Sequence, residues 1–164
     1  MTARQPTRKD VAEFFRLGLL AGLCKPSTVA RWADSIVTAE RSPHIAFIEL
    51  CIAGSQPANQ VQSLLDNVPG QSTATLPVQM LLGHASRLVA AQTSPPEQVL
   101  LRIYRIASLE TFPDGIYFDL IRLEDGLSLA RDGVYGTLAE VRHDIVVFFK
   151  EYEPFAPDNS TGDA

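Results

Sequence analysis

The chain has 164 residues, 46% hydrophobic and 20% charged, with a formal net charge of −5, a balance that builds a buried core and lies outside the weakly hydrophobic, highly charged regime of disordered chains. A pI of about 5.1 excludes the overall basic character of nucleic-acid modules. Charge is unevenly spread: residues 1–109 carry ten Lys/Arg and seven Asp/Glu, a balance of +3, and residues 110–164 carry four and twelve, a balance of −8. A one-signed field steers association, so this asymmetry points to a basic partner or a self-complementary assembly.

In chain order, a polar start precedes Val11, Phe14, Phe15, Gly18, Leu19, Gly22 and Leu23, whose spacing predicts an amphipathic helix over 8–23. The apolar stretch from Phe14 to Cys24, interrupted by Arg16, is too short for the roughly 20 residues of a membrane span and lacks a cleavage site, which predicts a cytoplasmic protein without a membrane anchor. Val29, Trp32, Ala33, Ile36 and Val37 predict a second helix over 27–40, with Trp32 buried against the first near Gly18 or Gly22. Further helices are expected at 43–54, 57–68, 74–92, 95–111, 115–131 and 137–152. Ser42-Pro43 and Ser94-Pro95-Pro96-Glu97 offer a capping hydroxyl with proline at the first helical position, and Glu97 and Glu140 complete capping boxes with Ser94 and Thr137. Residues 116–130 read two ways: aromatic and β-branched residues ahead of Asp125-Gly126 suit a strand and turn, whereas Ile116, Leu120, Leu123, Leu127 and Ala130 form a helical stripe, the reading adopted.

The prediction is an all-α fold, a compact irregular bundle of about eight short helices in which antiparallel helical hairpins are one arrangement; no motif recurs at the fixed period of a solenoid. Residues 1–152 are read as a single domain and 153–164, with two prolines, as a disordered tail.

Chemical motifs are sparse. His44, His84 and His143 are scattered singly, without metal-ligand spacing, and Cys24 and Cys51 read as buried thiols in a reducing compartment. No GxSxG elbow, GxGxxG turn or phosphate loop is present, so no catalytic residue, metal or cofactor is assigned. The acidic third supplies the candidate interaction residues: Asp119, Glu124, Asp125, Asp132, Glu140 and Asp144, together with Tyr135. In Asp132-Gly133-Val134-Tyr135-Gly136, Gly133 is placed to end one helix in the left-handed conformation and Thr137 to open the next. Val134 and Tyr135 then either pin two helices together or present an aromatic anchor amid carboxylates.

The segments Phe15-Arg-Leu-Gly-Leu-Leu-Ala-Gly-Leu, Trp32-Ala-Asp, Ile48-Glu-Leu and Asp132-Gly-Val-Tyr-Gly-Thr-Leu-Ala-Glu-Val resemble, in the same order, a family of small uncharacterised bacterial all-helical proteins. The resemblance implies a bacterial, single-domain helical protein and carries over no activity or site.

The functional expectation is a non-enzymatic protein-interaction module that meets a basic protein through an acidic C-terminal face, as an immunity or antitoxin-like inhibitor would, with no nucleic acid or membrane as partner. The alternatives are a self-associating structural or regulatory protein, and a small enzyme with a carboxylate and histidine pocket between helices. Antiparallel neighbours over 115–131 and 137–152 would place their carboxylates on one exposed face.

Overall fold

The computed structural model describes residues 4–158. Among the described residues there are eight α-helices, a short 3-10 helix and no strand: α1 Arg8–Ala21, α2 Pro26–Ala39, α3 Ile45–Cys51, α4 Ala58–Asp66, α5 Leu76–Ala90, α6 Pro96–Ala107, α7 Asp114–Arg131 and α8 Leu138–Glu151, then Glu153–Phe155. The all-α expectation holds, and the ambiguous 116–130 stretch is helical throughout. Its stripe decides the matter, since Ile116, Leu120, Leu123 and Leu127 are all buried on one side. Two compact units divide the chain, one running to Pro77 and taking in the segment from Pro157, the other Val78–Ala156. Of the expected tail, Glu153–Phe155 forms the 3-10 turn and Pro157 is buried, while 159–164 lie outside the described residues.

In the first unit, α2 packs on α3, α1 on α4, and α3 on α4. An aromatic chain joins them: Phe14 lies 5.0 Å from Phe15, Phe15 5.3 Å from Trp32, and Trp32 meets Phe47 edge-on at 5.6 Å. Trp32 is 4% exposed, as expected, but the α1 residue it meets is Phe15; Gly18 instead makes room for the Cys24 thiol, whose sulfur a Cβ there would strike. The start of α1 is held by a capping box the sequence reading missed, in which Thr7 accepts from the Asp10 N–H at 3.1 Å and the Thr7 N–H donates to Asp10 at 2.9 Å.

Asp10 is fully buried and also accepts from the Thr73 N–H at 2.8 Å and the Ser72 hydroxyl at 3.1 Å, tying the 72–73 loop to α1. Burial alone would push its carboxyl up; the bonds from Thr73, Thr7 and Ser72 outweigh it and hold the group below the usual carboxylate range. Beside it, Lys9 donates to the Asp66 carbonyl at 2.9 Å, placing a cation at the negative end of α4.

In the second unit, α6 packs on α7 and α8, and α7 on α8. Glu97, expected to box with Ser94, does not cap α6, which starts from Pro95 without a side-chain cap. Instead it takes two bonds from Arg142 on α8, at 2.6 and 3.0 Å. These bonds hold its carboxyl low against the opposing effect of burial. The Ser42 cap is likewise absent: α3 begins two residues later, where His44 Nδ1 accepts from the Ala46 N–H at 3.2 Å. Gly83 of α5 is packed so closely that a Cβ there would stand 2.5 Å from the Ala156 nitrogen and 2.6 Å from the Tyr152 carbonyl oxygen.

Candidate interaction surface and groove

The turn between α7 and α8 is built by main-chain geometry. Gly133 and Gly136 both take left-handed conformations, φ 68° and 72°, where a Cβ would be strained. The Val134 N–H bonds to the Leu129 carbonyl at 3.0 Å and the Gly133 N–H to the Ala130 carbonyl at 3.3 Å, the double closure of a Schellman end. Thr137 then opens α8 with the expected capping box, its N–H and hydroxyl each donating to Glu140 at 2.9 Å.

This fixed turn points its apolar side chains outward. Tyr135 is 78% and Val134 70% exposed, so they do not pin α7 to α8, and Leu129 and Leu138 beside them are also exposed. Every residue from Arg131 to Glu140 is exposed. The turn has the anatomy of a contact site, an aromatic centre with a polar rim.

The candidate carboxylates do not form one face. Asp119 and Glu124 are five residues apart, about 140° around a helix, and their fields reach different helices. Burial and then Asp119 raise Tyr152 at the end of α8; burial and then Glu124, with Asp125 further down, raise Tyr104 on α6. Asp119 also pairs with Arg122 at 3.6 Å. Of the remaining candidates, Asp132 ends α7 beside Tyr135, Glu140 caps α8, and Asp144 lies one helical turn beyond Glu140 on α8. Glu140 serves both cap and rim. The outward side of α7 is mixed, since Phe118, Arg122, Asp125 and Leu129 are all exposed.

A second feature of this unit has no signature in the sequence reading. The end of α5, the loop after it and the last turns of α8 enclose a groove of about 640 Å³, within the usual range for small-molecule sites. Its walls include Val89, Pro95, Pro96, Val146 and Phe149, and its polar atoms come from Ser86, Gln92, Ser94, Lys150 and Glu153. At its edge, α5 ends in a second Schellman closure, Thr93 N–H to Leu88 carbonyl and Gln92 N–H to Val89 carbonyl, both 3.0 Å. Here the left-handed position is held by Gln92, φ 56°, the one such non-glycine residue among those described. That conformation costs a side-chain-bearing residue about 1–2 kcal/mol.

The groove's lining contains no histidine. His84 is buried on α5, His44 caps α3 and His143 is exposed on α8. Among the described residues no three His, Cys, Asp or Glu side chains gather as a metal site would require. Both cysteines are free, and half-buried where buried thiols were expected; burial pushes the Cys24 thiol up to about 12, and burial followed by the Asp34 charge raises Cys51. No helix among the described residues is long and apolar enough to cross a membrane. No protein-family model matches the chain, and neither does any curated protein or solved structure.

Proposed function

We propose that this is a non-enzymatic protein-interaction module whose contact site is the α7–α8 turn, and that its partner is a basic protein it covers as an immunity or antitoxin-like inhibitor does, in a bacterial cytoplasm. One observation carries the reading: Tyr135 and Val134 stand exposed on a turn fixed by two left-handed glycines, a Schellman closure and a capping box. A soluble protein that exposes a large aromatic on a rigid scaffold has already met the ordering cost that flexible loops meet on binding. The rim residues Asp132, Glu140 and Asp144, against Arg131, favour a cationic partner, and the −8 balance of residues 110–164 supplies the long-range steering.

The test is association with the partner recovered by affinity capture from the producing cells. Tyr135→Ala should raise Kd at least about tenfold, as the loss of a central aromatic does. Asp132→Lys with Asp144→Lys should slow association severalfold at low salt and lose that effect as salt rises, while Glu124→Lys with Asp125→Lys, on another flank, should act more weakly. Equal binding by all three at every salt concentration would end the proposal.

Self-association is a second reading with its own observation. The outer side of α3 exposes Ile45 and Ile48, and Ile52, the residue that follows the helix, is 76% exposed. If α3 is a self-contact, sedimentation should show a concentration-dependent dimer that Ile48→Asp abolishes; a monomer at high concentration would exclude it.

A further inference from the structure

Gln92 and Gly133 occupy the same position in the same helix-ending motif, yet one is glycine and the other is not. At Gly133 the motif carries the residue that meets the left-handed φ without strain. At the end of α5 the strain is kept, and the side chain retained by keeping it is an amide at the edge of the groove. We propose that the groove is a binding site for a small, electrically neutral, largely apolar molecule bearing an amide, and that Gln92 reads that amide.

Three features define this ligand class. The volume and the Val89, Pro95, Val146 and Phe149 walls fit an apolar body. Lys150 and Glu153 both line the groove, so its charged side chains sum to zero and offer no net attraction to an ion of either sign. What remains to orient the ligand is the Gln92 amide with the Ser86 and Ser94 hydroxyls, groups that each donate and accept. A ligand amide also does both, so it can satisfy Gln92 with two reciprocal hydrogen bonds, whereas a carboxylate leaves the donor half of that exchange unmet and an ammonium the acceptor half. Neutral recognition also separates this site from the α7–α8 turn, where the expected binding weakens as salt rises.

The experiment titrates the full chain with three probes of one chain length, nonanamide, nonanoate and nonylammonium, followed by two-dimensional NMR. Nonanamide is expected to shift resonances of groove residues, to bind at least about fivefold tighter than either charged probe, and to change little between about 0.05 and 0.5 M salt. Gln92→Gly should weaken nonanamide at least about fivefold while leaving the thermal midpoint unchanged or raised, because the left-handed φ is retained. Ala90→Trp, which fills the groove from α5, should remove binding. Absence of shifts at groove residues with all three probes, equal or tighter binding of a charged probe, unchanged binding to Gln92→Gly, or binding that survives Ala90→Trp would each overturn the proposal.

Discussion

Asp10 shows how much a single side chain can hold in this fold. It caps α1, and its carboxylate draws the 72–73 loop onto that helix through the Thr73 N–H and the Ser72 hydroxyl. Because its folded pKa is depressed, its contribution to stability is complete above the ordinary aspartate value of about 3.9 and is lost as pH falls from there through the lower folded value. Asp10→Ala, which leaves buried donors without an acceptor, should destabilise by about 2–3 kcal/mol at neutral pH and flatten this acid-side loss, as urea denaturation between pH 2 and 7 would record. Trp32→Ala should cost about 3–5 kcal/mol, because the ring is 4% exposed and touches both Phe15 and Phe47; an unchanged denaturation midpoint would contradict that packing. Burial of Trp32 was legible from its place on the stripe of 27–40. Its contact with Phe15 was not, because periodicity gives the face of a helix and not the neighbour that face meets.

At the scale of elements, all eight helices were legible from their 3.6-residue period, most to within two residues of each end, whereas α3 fills only Ile45–Cys51 of the expected 43–54 and α6 stops at Ala107 short of the expected 111. Caps were less so. Thr137 and Glu140 form the predicted box, whereas Glu97 abandons Ser94 for Arg142, 45 residues away, a contact no local pattern can announce. The turn at 133–136 was correctly placed, but whether Tyr135 faced in or out depended on packing that sequence spacing does not encode. The groove left no trace in the sequence because its walls come from α5, a loop and α8, and the signal at Gln92 is a backbone angle. Close helix approach gives a sharp test of the element packing: Gly83→Ala should cost about 1–3 kcal/mol or more, since the added methyl meets main-chain atoms of Tyr152 and Ala156. Gly115→Ala, with open space around the added methyl, should be neutral or raise the thermal midpoint slightly. Equal effects at the two glycines would show that α5 is not packed as described.

For the molecule as a whole, the charge division read from the chain is real, but the structure distributes the candidate carboxylates among several surroundings. Asp119 lies toward the end of α8, Glu124 and Asp125 toward α6, Asp132 and Glu140 at the two ends of the exposed turn, and Asp144 one turn further along α8. The acidic third is therefore a general field, and the contact proposed above lies at Val134 and Tyr135 on the fixed turn, although Phe118 on α7 is also exposed. Site-specific photo-cross-linking tests it most directly, with a photoreactive residue placed at Val134 and, as a comparison, at Ile52 just past the end of α3, in the cells that produce the protein. One discrete adduct is expected from position 134, to a basic protein, lost on Tyr135→Ala and diminished at high salt, with no such adduct from position 52. No adduct at 134, or the same adducts from both positions, would contradict it.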